Sequence, residues 1–387
     1  MRTCASRSPP ESRITFASHS PWRRCGRGSA LCSRGAPIGP EPGTDAARTR
    51  GEDSHGGRPM EHLNETQRYF IEEHVEDFRD GFISRRELIR RVSLIAGSSA
   101  VASTILAACD LSPRPAGSSG APTGAASPTA SAALVAQPYA TPPPAPVPDG
   151  ITVKENDPRI TVSKPEVKGA DGANLMAYMA KPNVSGKVPG VVVIHENRGQ
   201  TEHIRDVVRR VATAGLVAVN IDLAARAGGA DKLTDSAAYN AELGKRSIAD
   251  KLSDHNAMIT YLRGQSTGVL GVVGFCFGGG EVWNLVAAAA DLKAAVPFYG
   301  PQPANFADIA KTKSAVSAVY AELDTRITGT GPQMEEQLKK AGVPYQITVY
   351  PGVNHAFHND TNADRYNAAQ AQKAWVATIE WFRKYLA

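Results

Sequence analysis

The residues best placed to do chemistry are Gly274-Phe275-Cys276-Phe277-Gly278-Gly279, which follow a continuous apolar run and precede a helical pattern. A thiol at a sharp strand-to-helix turn, with small residues two positions before and two after it, has the layout of a nucleophile elbow, with Cys in place of the more frequent Ser. The helix N-terminus behind such a turn favours the thiolate, the form that attacks carbonyl carbon. A nucleophile of this kind needs a base and an acid to orient the base, in the chain order nucleophile, acid, His. Asp324 ends the run AVSAVYAELD, and His355 follows YQITVY in the loop Pro351-Gly352-Val353-Asn354-His355. Glu322 competes with Asp324 but lies two residues back inside the strand, and His358 competes with His355 from a turn further into the loop. The N–H of Phe277 is the expected first oxyanion donor, and a loop N–H such as that of Asn197 the second.

Other chemistries fit less well. His195-Glu196-Asn197-Arg198-Gly199 has Gly where a zinc HExxH motif needs its second His. The elbow lacks the Gly-Lys-Ser/Thr ending of a phosphate loop. Cys25 and Cys32 have no His nearby in a ligand-like pattern, so neither metal nor cofactor is expected. A net charge of +5 is too small for a nucleic-acid footprint. A thiol redox protein would need a resolving cysteine, and Cys276 is the sole cysteine after residue 109.

These residues must be positioned by residues 151–387, where strand and helix patterns alternate. Strands are expected over 188–196, 216–223, 269–275, 294–298, 315–321 and 345–350. Helices are expected near 204–212, 234–263, 281–290, 333–341 and 367–386. The alternation predicts an α/β domain, a mostly parallel sheet with helices on both faces. Asp324 and His355 then fall at carboxyl ends of strands, where open α/β sheets place their sites.

The remaining chain reads as three pieces. Residues 1–59 are rich in Arg, Ser, Pro and Gly, carry Cys4, Cys25 and Cys32, and are expected to be disordered or to precede a true start at Met60. Residues 60–109 open with a solvated amphipathic helix in which Phe70, His74 and Phe78 recur at helical spacing. Ser84-Arg85-Arg86 and Arg90-Arg91 then precede an uncharged stretch, Val92 to Ala108, which suggests a twin-arginine-type export signal. It ends Leu106-Ala107-Ala108-Cys109, similar to a bacterial lipobox, so Cys109 is the expected lipidation site and the membrane an expected partner. Residues 110–150, rich in Pro, Ala and Ser, read as a linker that holds the domain outside the cytoplasmic membrane.

Taken together, HENRG, IDLAAR, GFCFGGG, AELD and PGVNHAF resemble the dienelactone hydrolase family over about residues 160–387. The resemblance implies an α/β-hydrolase fold and a cysteine hydrolase acting on a small ester or lactone. By motif it makes Cys276 the nucleophile, His355 the base and Asp324 its orienter. It makes Glu196 the carboxylate that keeps the thiol neutral at rest and moves when substrate arrives. Arg226 matches the family's substrate-carboxylate Arg. A second such Arg falls four residues after the His, where this chain has Asn359; that departure points away from dienelactone itself, with Arg198 a stand-in by position. A ligand-binding surface lipoprotein on the same scaffold is the alternative to an enzyme.

Overall fold

The computed structural model describes residues 60–109, 111–112 and 152–387. The expectations for 1–59 and for nearly all of the linker lie outside the described residues. Three helices come first, α1 (Glu65–Arg79), α2 (Arg85–Ala96) and α3 (Ser99–Ala108). Then follow β1 (Ile160–Ser163), β2 (Tyr178–Pro182), β3 (Gly190–Ile194), α4 (Glu202–Thr213), β4 (Val217–Asn220), α5 (Gly229–Lys232), α6 (Ser236–Gly244) and α7 (Ile248–Gln265). The chain continues with β5 (Leu270–Phe275), α8 (Phe277–Ala287), β6 (Ala294–Phe298), β7 (Ala315–Ala321), α9 (Thr325–Thr328), α10 (Gly331–Ala341), β8 (Tyr345–Tyr350) and α11 (Ala368–Leu386).

The strands form one sheet in the order β1-β2-β4-β3-β5-β6-β7-β8, parallel from β4 onward and antiparallel at the β1–β2–β4 end. Strands β3 to β7 are buried along their whole length, which is why their sequences run continuously apolar instead of alternating. The register shows both faces covered. Gly190 of β3 pairs with Leu270 of β5, and a Cβ on Gly190 would strike Leu262 of α7. The next residue, Gly271, points the other way, where a Cβ would strike Phe382 of α11.

Three elements differ from the sequence expectation. The pattern over 234–263 is two helices, because Ser247 and Asp250 form a capping box that starts α7 afresh. The strands β1 and β2, short and partly exposed, carry too little apolar pattern to be read in advance. The third difference is the largest. Helix α1 is not solvated: Tyr69, Phe70, Ile71, Glu73, His74 and Val75 are buried. Phe70 meets the Phe277 ring at 5.4 Å, Lys251 donates to the Thr66 hydroxyl at 2.5 Å, and Asn64 donates to the Gly244 carbonyl at 2.6 Å. In the expected signal Leu88, Val92, Ile95, Ala102, Ile105 and Leu106 are likewise buried, whereas Ile89 and Leu94 are exposed. Among the described residues no single helix is long and apolar enough to cross a membrane; α2 and α3 reach that length together but are bent by 116°.

Candidate active site

Cys276 sits between β5 and α8 at φ 58°, ψ −122°, a conformation that a side chain rarely adopts. The turn is feasible because of its glycines. A Cβ on Gly274 would lie 2.2 Å from the Gly278 carbonyl oxygen, and one on Gly278 would lie 2.5 Å from the His195 carbonyl oxygen. The Cys276 N–H donates to the Phe298 carbonyl at 3.1 Å, which ties the elbow to β6. Phe277 is the first residue of α8, so its N–H is one of the helix-start amides that have no partner within the helix.

The loops after β7 and β8 bring in the other groups. Leu323 N–H donates to the Val353 carbonyl at 3.0 Å, stitching the two loops together. Asp324 caps α9 through the Ile327 N–H, and its second oxygen, Oδ2, lies 2.6 Å from His355 Nδ1. A ring nitrogen of His355, Cys276 Sγ and a Glu73 oxygen all lie within 4.8 Å of one another. These three atoms form the one metal-like grouping among the described residues.

Burial raises the Cys276 thiol above its ordinary pKa, and His355 only partly offsets this. Burial pulls His355 down, but Glu73, Cys276 and Asp324 outweigh it and hold the imidazole well above its ordinary value. Burial pushes the Asp324 carboxyl up, but His355, with Arg326 and the Ile327 N–H, outweighs it and leaves the group low. The competitors are placed elsewhere. Glu322 accepts from the Gly352 N–H at 2.8 Å. His358 stacks on Phe275 at 5.0 Å, and burial keeps it well below the ordinary histidine range, as a core residue.

Glu196 follows β3 and lines the same cleft as Cys276 and His355, a cavity of about 410 Å³. Its Oε2 accepts from Asn359 Nδ2 at 2.5 Å, while its Oε1, also buried, has no hydrogen-bond partner among the described residues. The residue at the position of the family's second Arg therefore holds this carboxylate. Asn197 and Arg198 line the cleft too, Arg198 exposed at the rim. Arg226 is not among the lining residues. Its guanidinium is spent on two bidentate pairs, with Asp171 at 2.7 and 2.9 Å and with buried Asp254 at the same distances. The expected substrate contact is thus a structural clamp here.

Besides Arg198, the cleft is lined by Arg91 of α2 and by Arg365, neither of which sequence reasoning singled out as a site residue. Arg365 donates to Asp77 of α1 and lies 4.4 Å over the Phe82 ring. Also unforeseen are Tyr69, whose hydroxyl lies 3.2 Å from Cys276 Sγ, and Glu73, whose Oε1 lies 3.4 Å from His355 Nε2.

A strained thiol between a buried parallel strand and a helix, with an Asp–His pair on the loops after the later strands, defines an α/β-hydrolase. The dienelactone hydrolase family profile matches residues 175–386, and the chain belongs to that family. It is a carboxylic ester/lactone hydrolase. A putative carboxymethylenebutenolidase of Methylorubrum extorquens is 35% identical over 225 residues, covering 54% of this chain and 77% of the relative. One of Escherichia coli K12 is 33% identical, covering 56% and 84%. The crystal structure of a putative dienelactone hydrolase from Klebsiella pneumoniae is 32% identical, with a TM-score of 0.53, covering 58% of this chain and 99% of that one.

Proposed function

We propose that the hydrolase works through Cys276, His355 and Asp324 by way of a thioester. The supporting observation is the elbow conformation of Cys276 together with the 2.6 Å Asp324–His355 contact. Cys276 Sγ attacks the ester or lactone carbonyl while its proton passes to His355 Nε2. The N–H groups of Phe277 and Asn197 receive the oxyanion. As the C–O bond breaks, His355 returns the proton to the leaving oxygen, which in a lactone stays on the acyl chain. Water, deprotonated by His355, then cleaves the thioester and restores the thiol. Glu196, held by Asn359, is the carboxylate that keeps the thiol protonated until substrate displaces it. Acid-quenching the chain during turnover of a slow ester should give a mass increase of one acyl group on the Cys276 peptide. Turnover with no adduct on that peptide, under conditions where deacylation is rate-limiting, contradicts the scheme.

We further propose export through the Arg85-Arg86 signal and lipidation of Cys109. Both arginines are exposed on α2, open to a receptor, and Cys109 lies just after the end of α3. Expression in a bacterium fed radioactive palmitate should label the protein in its membrane fraction. An unlabelled, full-mass protein in the cytosol contradicts this reading.

A further inference from the structure

We infer that helix α1 is an intramolecular cap whose carboxylates occupy the substrate's place, so that the hydrolase is latent until residues 60–108 withdraw, and that the uncovered cleft takes carboxylate-bearing esters or lactones held by Arg365. The inference rests on the hydrolase reading above.

Four observations carry it. First, α1 delivers a buried carboxylate to the base itself: Glu73 Oε1 lies 3.4 Å from His355 Nε2, the nitrogen that must take the thiol proton. A carboxylate there stabilises the imidazolium, and an imidazolium cannot act as a base. Second, the Tyr69 hydroxyl lies against Cys276 Sγ at 3.2 Å and fills the approach an acyl carbon would need. Third, Asp77, one turn beyond Glu73, takes the guanidinium of Arg365, while Arg326, two residues from Asp324, donates to Glu73 at 2.8 Å and to Glu76 at 2.7 Å. Two of the domain's cations, Arg365 and Arg326, are thus paired by one acidic helix. With α1 gone, Arg365 faces the cleft with no partner from that helix, a fitting contact for a substrate carboxylate. Fourth, the family match begins at residue 175, so the cap lies outside the part of the chain that makes it a hydrolase. A helix needed only for support has no reason to place a buried carboxylate on the catalytic imidazole, since burying charge carries a desolvation cost.

The cap also joins activity to export. Most of the apolar residues of α2 and α3 are buried and α2 packs on α1, so engagement of that segment by a translocation receptor or a lipid surface draws α1 with it.

The test uses the full chain and reads alkylation of Cys276, separated from Cys109 by peptide mapping, with iodoacetate and neutral iodoacetamide. Loosening the cap with Glu73→Ala/Asp77→Ala should speed iodoacetate labelling of Cys276 at least tenfold and raise hydrolysis of a carboxylate-bearing ester. The isosteric Glu73→Gln/Asp77→Asn pair, checked by circular dichroism, should act in the same direction. Unchanged or slower labelling in both folded variants overturns the cap. Adding Arg365→Ala to either pair should erase the preference for iodoacetate over iodoacetamide; a preserved preference overturns the role of Arg365. Faster labelling with no ester turned over by any variant keeps the cap and removes the hydrolase mechanism. Full hydrolysis by the parent chain, unimproved in the variants, keeps the hydrolase and removes the cap.

Discussion

Replacing Cys276 with Ala should lower kcat/KM for ester hydrolysis by at least about 10³-fold, with the fold intact by circular dichroism. The thiol is the one nucleophilic side chain at the elbow, presented by backbone held at φ 58°. What survives should be the modest contribution of oxyanion donors and substrate placement. Cys276→Ser would keep the turn, but His355 would then have to deprotonate an alcohol, so intermediate activity is expected. The loss is best measured in the Glu73→Gln/Asp77→Asn background as well, where the cap does not mask the parent rate. Near-parental hydrolysis by Cys276→Ala would move the chemistry to another group and end the thioester scheme.

Asp324→Asn should cost about 10³- to 10⁴-fold in kcat, since an amide can neither fix the productive tautomer of His355 nor stabilise its positive charge. The pH profile separates this from a packing defect. Asp324 is one of the groups that raise His355. Removing its charge lowers the imidazole pKa, so the base becomes neutral at lower pH. The acid limb of kcat/KM should therefore move to lower pH while the plateau falls. A lower plateau with an unmoved limb would mean that Asp324 only holds the loop.

The site residues were legible in the sequence to different degrees, for physical reasons. Cys276, Asp324 and His355, which the structure brings together, could be singled out because each follows a strand whose apolar run is unmistakable, and a parallel sheet brings strand ends to one edge. Arg365 carried no such signal. Ten residues beyond His355 in an irregular loop, it reaches the cleft only because the chain folds back after β8. Arg226 illustrates the opposite case: its motif was readable, but its two partners, Asp171 and Asp254, come from distant segments that nothing in the motif announces. Helix α1 was readable as an amphipathic pattern, with Phe70 and His74 on its buried side, but not by what it covers. The contact of Tyr69 with Cys276 joins residues 207 positions apart, and no local periodicity encodes such a pairing.

The burial of Cys276, only 3% exposed beneath Tyr69, also bears on how the protein ages. Peroxide oxidises thiolates that it can reach, first to the sulfenic acid and then to forms that are not recovered. A sulfur kept protonated by burial and shielded by a phenol ring offers neither the charge nor the access. No second cysteine in the catalytic region stands ready to rescue a sulfenic acid as a disulfide. A chain stored with its helix in place would thus keep this sulfur reduced on exposure to oxidant. Each molecule that opens to work would begin a finite chemical lifetime.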